Sequence, residues 1–276
     1  MTLRQAQGER VGVLGAGAWG TALAQMLASD GRDVLIWARE SELVAEINSA
    51  HTNSVFLPSV TLAKTIRATG DLAEMAALDT LLVVTPAQHM GSVLEAMPAH
   101  PRDLVLCSKG IEAGGGRLMN PVAKAAAPGS AVAVLSGPTF AHEVAAGLPT
   151  AVTLACADGE AQWDRLAPVI ARQTFRPYYS DDVIGAEIGG SVKNVLAIAC
   201  GVVDGLRLGQ NARAALIARG YAEMLLFGES LGAQAATLAV LCGSVDLVLT
   251  CPPPPTRSLS LVNAPLSGSH ASSSVA

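Results

Sequence analysis

The stretch Val11-Gly12-Val13-Leu14, followed by Gly15-Ala16-Gly17-Ala18-Trp19-Gly20, constrains this chain more than any other feature. Apolar residues without polar alternation read as a strand buried on both faces. The glycine run then opens "TALAQML", a segment of good helix formers, and Gly31 and a second apolar run follow. Strand, glycine turn, helix and strand together make a dinucleotide cradle. Gly15 permits the tight turn, Gly17 lets the backbone approach a pyrophosphate, and Gly20 lets helix and strand pack closely. The helix N-terminus presents unpaired N–H groups to the negative charge. A bare G-x-G-x-x-G is weak evidence, whereas one set between a strand and a helix is specific. The second strand ends in Trp37-Ala38-Arg39-Glu40. An arginine there suits the 2′-phosphate of NADP, while the adjacent Glu40 keeps NAD open. The expected cofactors are therefore NADP and NAD, with NADP favoured.

Further along, apolar runs alternate with Ala-rich segments of helical period. Strands are expected at 11–14, 33–37, 80–85, 103–107, 131–135 and 151–156, with helices at 18–30, 40–49, 87–97, 117–127, 139–147 and 160–172. This alternation predicts an α/β fold, a Rossmann-like doubly wound parallel sheet covered on both faces. After "RPYYSDD" the strand signal stops and the pattern becomes Ala-, Gly- and Leu-rich and helical. The expected division is a dinucleotide-binding domain over 1–180, a partial all-helical substrate domain over 181–251, and a tail over 252–276. The tail is rich in Pro and Ser, with Arg257 its only charged side chain, a composition that predicts no fixed structure.

Several functions are disfavoured. A net charge of -5 with no basic stripe argues against nucleic acid. The N-terminus runs into the first strand without a signal-peptide h-region, and no membrane span is expected. Five widely spaced cysteines without a C-x-x-C pair fit free thiols in the cytoplasm. His142-Glu143 lacks a second histidine at i+4, so no metal site is expected.

Ligands bind such sheets at the carboxyl ends of the strands. There the chain places "VVTPAQ" (83–88), "CSKG" (107–110) and "SGPTFAHE" (136–143). Lys109, just past a buried strand, reads as a binding residue. Gly137 and Pro138 form a turn that brings the amides near Thr139 and Ala141 to a helix start. The remaining anomaly is Lys193 in "GGSVKNVLAIACGVV" (189–203), where everything else nearby is small or apolar. Such a lysine either snorkels to solvent or serves as an acid or base whose pKa burial has lowered.

"GAGAWGTALA", "SKGIE", "SGPTFAHEVA", "KNVLAIACG", "NARAALIARGYAEM" and "VDLVLTC" stand in the order and spacing of one family. Over roughly residues 10–251 the chain resembles the NAD(P)-dependent glycerol-3-phosphate dehydrogenases. The resemblance implies interconversion of dihydroxyacetone phosphate and sn-glycerol 3-phosphate, a small phosphorylated substrate, with the product feeding phospholipid synthesis. A homodimer is a further expectation. The resemblance also makes Lys193 the proton donor or acceptor; a nearby carboxylate, Asp246, is expected to hold its orientation and offset part of its desolvation. The resemblance assigns substrate contacts to Lys109, Gly137, Thr139, Asn194 and Asp246. Nucleotide contacts fall to Gly15, Gly17, Trp19, Gly20, Arg39, Lys109 and Ala141.

Two departures stand out. Cys242-Gly243-Ser244-Val245-Asp246 replaces the family's usual S-G-L-G-D. At the offset of the family's S-R-N motif stands Thr256-Arg257-Ser258, which makes Arg257 a candidate phosphate contact inside a proline-rich run. The abrupt change at Pro252 predicts that 252–276 is not this fold's natural ending. Two other readings remain open from sequence: a β-hydroxyacid-type dehydrogenase, and a nucleotide-binding remnant with little catalysis. The adjacent Lys193-Asn194 pair argues against the first, and the tail argues for the second.

Overall fold

The computed structural model describes residues 10–251. Arg257 and the rest of the Pro/Ser-rich segment lie outside the described residues, as do the expectations attached to them. Eight strands form one sheet: β1 (Val11–Leu14), β2 (Val34–Trp37), β3 (Ile66–Thr69), β4 (Thr80–Val83), β5 (Asp103–Leu106), β6 (Ala131–Ser136), β7 (Thr150–Cys156) and β8 (Phe175–Ser180). Their order is β3-β2-β1-β4-β5-β6-β7-β8. The central strands β1, β4 and β5 are buried throughout, as their mainly apolar sequences require, with the buried Asp103 at the start of β5 paired to Gln162 and Arg165.

Helices cover both faces of the sheet. On one side α1 (Ala18–Leu27), α2 (Ser41–Ala50) and α7 (Glu160–Ile170) bury Leu23, Leu27, Ile47, Leu166 and Ile170. On the other, α3 (Leu72–Ala76), α4 (Ala87–Glu95) and α5 (Met119–Ala126) bury Met75, Met90, Leu94, Met119 and Val122. Side chains of this size contribute about 1.5–3 kcal/mol each when fully buried. The doubly wound architecture is therefore present.

The last two strands depart from the expected all-parallel sheet. β6 pairs antiparallel with β7, and β8 runs parallel to β7. The segment after β6 does not cross the sheet. Its short helix α6 (Ala141–Ala145) packs on α1 at the sheet's carboxyl edge, and the chain re-enters at that same edge. The strands absent from the expectation, β3 and β8, are the two edges. Edge strands carry polar residues and tolerate proline, so "IRAT" and "FRPYYS", with Pro177, give no apolar signal.

The helical part begins with α8 (Val183–Gly205), then α9 (Gly209–Ser230), α10 (Ala235–Leu238), a π-turn over Leu241–Val245 and α11 (Asp246–Thr250). Asp182 sets the start of α8. Its Oδ1 accepts from Gly185 N at 2.8 Å while Oδ2 accepts from Gln234 N at 2.8 Å, joining the helix start to the entry of α10. By length and composition alone α8 could cross a membrane, but 61% of its most apolar window is buried inside the protein. It packs against α9, β6, the π-turn and α11. All five cysteines are buried and carry free thiols.

Close approach of α8 to the π-turn depends on Gly189. A Cβ there would lie 2.1 Å from the Cys242 carbonyl oxygen, and backbone cannot swing aside. Gly189→Ala should therefore cost about 1–3 kcal/mol, the usual range for overpacking. Urea unfolding should show a lower midpoint; an unchanged midpoint would mean that α8 and the π-turn do not pack this closely.

Candidate active site

Because β1 to β6 are parallel, the loops that follow them gather at one edge of the sheet. The glycine loop follows β1. A Cβ on Gly20 would stand 1.9 Å from Gly15 O, so only glycine lets α1 start this close to the turn. The first turn of α1 holds no acidic residue, and among the described residues its N-cap Gly17 supplies no side-chain hydrogen bond. Nothing lies within 4 Å of a Cβ built on Gly17. Unpaired N–H groups facing open space fit a dinucleotide's pyrophosphate. Trp19 is half-buried against the core beside the loop.

Sequence reasoning missed the brace beneath this loop. Asn53 has no exposed surface, and its Nδ2 donates to Ala16 O at 2.9 Å and to Thr21 Oγ1 at 2.8 Å. A single buried asparagine in a loop carries no periodicity, so no sequence signal marked it.

Arg39 stands at the end of β2, where the sequence pattern puts it. Its guanidinium is exposed and paired with Glu40, Nη2 to Oε1 at 2.9 Å and Nε to Oε1 at 3.1 Å. An exposed pair of this kind is worth about 0–1 kcal/mol, so a phosphate competes for the arginine at little cost.

The loops after β5 and β6 meet α8 and α11. Lys193 is only 6% exposed, and its ammonium donates to Asp246 Oδ1. Asp246 has no exposed surface, and its Oδ2 accepts from Lys109 Nζ at 3.2 Å. Lys109 Nζ also lies 3.4 Å from Gly137 O. Two ammonium groups thus share one buried carboxylate. Lys193 does not snorkel. Burial pulls its pKa down to about 8, and the neighbouring Lys109 ammonium pulls the same way. Asp246 opposes both.

Small residues make the convergence possible. A Cβ on Gly190 would sit 3.0 Å from Ser136 Oγ and 3.5 Å from the Lys109 stem. Asp246 is the first residue of α11, directly after the π-turn. Such widened turns occur often at functional sites. Lys109 is less buried than its partners, with 21% of its side chain exposed, so it is the most accessible cation of the cluster. A cationic, partly desolvated cluster of this kind can hold an anionic group and exchange a proton near neutrality.

The structure brings Lys109, Gly137, Lys193 and Asp246 together. Asn194 stands exposed one residue beyond Lys193. Thr139 and Ala141 are half-buried at the entry of α6, which packs on α1 rather than beside the lysines. The expected helix over 139–147 spans only Ala141–Ala145, too few aligned peptides for a strong anion-binding N-terminus.

Comparison with known proteins bears directly on this geometry. The family model for the NAD-dependent glycerol-3-phosphate dehydrogenase N-terminus matches residues 10–162, and that for the C-terminus matches residues 182–272. The second match runs past Cys251, so the likeness extends further than the motifs indicate. Glycerol-3-phosphate dehydrogenase [NAD(P)+] of Erythrobacter litoralis is 72% identical over 92% of this chain and 77% of its own. The enzyme of that name from Novosphingobium aromaticivorans is 67% identical over 96% of this chain and 80% of its own. The crystal structure of glycerol-3-phosphate dehydrogenase from Coxiella burnetii superposes with a TM-score of 0.84 at 40% identity, covering 89% of this chain and 76% of that one. D-mandelate dehydrogenase, at 16% identity and a TM-score of 0.62, shares the fold alone, so nothing here favours the β-hydroxyacid reading. By sequence and by structure, this chain belongs to the NAD(P)-dependent glycerol-3-phosphate dehydrogenases.

Proposed function

We propose that Lys193 exchanges the proton at the C2 oxygen as dihydroxyacetone phosphate and sn-glycerol 3-phosphate interconvert. The observation that carries this reading is the buried Lys193–Asp246 pair at the carboxyl edge of a dinucleotide-binding sheet. A nicotinamide, when bound, would supply the hydride. Lys193 holds the proton, and Asp246 fixes the direction of its Nζ and offsets the cost of burying it. Lys109 and Asn194 grip the phosphate, a handle remote from the reacting carbon whose binding energy orients the carbonyl. Gly137 and Thr139 line the substrate side. Gly15, Gly17 and Gly20 hold the pyrophosphate, with Trp19, Arg39, Lys109 and Ala141 along the rest of the nucleotide.

In this reading residues 1–180 bind the nucleotide and 181–251 close over the substrate. The product is the three-carbon backbone of phospholipids, and we assign the chain to its supply. Buried free thiols support work in the cytoplasm.

Lys193→Met keeps the length and apolar stem but removes the proton. Turnover should fall by about 10²–10⁴-fold, the range for loss of general acid–base catalysis, with nucleotide affinity nearly unchanged in a fluorescence titration. Activity within a few-fold of wild type would remove Lys193 from the chemistry.

Arg39→Ala tests cofactor choice. A hydrogen bond to a charged group is worth about 1.5–3 kcal/mol, so NADPH affinity should drop roughly tenfold or more while NADH affinity barely moves. Equal losses for both cofactors would show that Arg39 does not touch the 2′-phosphate.

A further inference from the structure

Lys109 reaches Asp246 only if its loop is held against α8, and two residues of α8 not yet given a role hold it. Ser191 Oγ accepts from Gly110 N at 3.0 Å, and it lies 3.1 Å and 2.8 Å from the Gly110 and Glu187 carbonyl oxygens, either of which takes its proton. Beyond Gly110 the chain closes a compact loop. Ile111 bridges Leu118, Glu112 N donates to Arg117 O at 2.9 Å, and Arg117 pairs with Glu112 at 2.7 Å. The loop then enters α5 directly.

The start of α5 is where the second tether acts. This helix has no acidic residue in its first turn, and among the described residues its N-cap Leu118 makes no side-chain hydrogen bond. The missing acceptor comes from another helix. Glu187 of α8, only 7% exposed, accepts from Asn120 N at 2.7 Å through Oε1. The remaining oxygen, Glu187 Oε2, and Asn120 Oδ1 are both buried with no hydrogen-bond partner among the described residues. A buried carboxyl that spends its bonds on a neighbouring helix start costs desolvation. Its geometric effect is to fix where that helix, and the loop feeding it, sit relative to Lys193.

We propose that Glu187 is a positioning residue: from α8 it anchors the start of α5 and thereby holds the Lys109 loop in register with Lys193 and Asp246. This inference rests on the reading of Lys109 as a substrate-binding residue. A role in stability alone would give a general loss. A positioning role gives a loss that passes through Lys109.

The test is a double-mutant cycle on the full chain, reading KM for dihydroxyacetone phosphate, kcat and the Kd of NADPH. Glu187→Ala should raise KM for dihydroxyacetone phosphate about tenfold and leave the NADPH Kd within about twofold, the signature of lost substrate binding. Glu187→Gln should stay within about threefold of wild type, because its amide oxygen still accepts from Asn120 N. In a Lys109→Met background Glu187→Ala should add less than about twofold, since coupled residues do not add. An undiminished Glu187→Ala effect in that background, or a loss in Glu187→Gln as large as in Glu187→Ala, overturns the proposal. If Lys109→Met alone leaves KM unchanged, the reading of Lys109 falls and this inference falls with it. Should Ala at 187 prevent folding, Glu187→Leu, which fills the space without an acceptor, takes its place in the cycle.

Discussion

A carboxylate with no exposed surface has to be paired, and Asp246 is paired twice. Desolvating an isolated charge costs several kcal/mol even after relaxation, so the ammonium groups of Lys193 and Lys109 are conditions for burying Asp246 at all. The geometry of the helical part follows from that demand. Gly189 lets the π-turn touch α8, Gly190 leaves room for the Lys109 stem, and the π-turn delivers Asp246 at the start of α11. Breaking a buried pair by removing one partner typically costs about 3–5 kcal/mol, which makes the same contact both structural and chemical.

The sheet supplies the second constraint. Six parallel strands bring the glycine loop, the Lys109 loop and Gly137 to one edge, and the reversal at β7 keeps "SGPTFAHE" there. Had the chain crossed the sheet after β6, Thr139 and Ala141 would have been carried along a face. Instead α6 sits on α1, beside the cradle. The nucleotide end and the lysine end of the cleft are thus fixed by the same topology.

What the sequence revealed, and what it hid, follows from how local each requirement is. The glycine loop was legible because the demand on Gly15 is its own positive φ and that on Gly20 is set by Gly15, a few residues away. Lys193 was legible because an ammonium group in an apolar helix is conspicuous. Asp246 was named through the family likeness, and only the fold shows that Lys109 shares it. The edge strands β3 and β8 were missed because an edge lacks the apolar run that marks a buried strand. The direction of β7 was missed because its sequence, "TAVTLAC", is as apolar as that of a parallel strand. The roles of Asn53 and Glu187 were invisible for one shared reason: each is a buried polar residue whose bracing partner lies far along the chain, and no local pattern announces it. Asp182 caps α8 locally, but its second bond, to Gln234, was hidden in the same way.

The central claim is that a single buried lysine, held by Asp246, serves the reaction in both directions. The most direct measurement is the pH dependence of kcat/KM for reduction and for oxidation on the same preparation. Reduction needs Lys193 protonated and oxidation needs it neutral. With its pKa pulled down to about 8, reduction should fall and oxidation should rise as pH increases through that region. Profiles that move in the same direction, or that show no inflection until the range of an ordinary exposed lysine, would contradict the account.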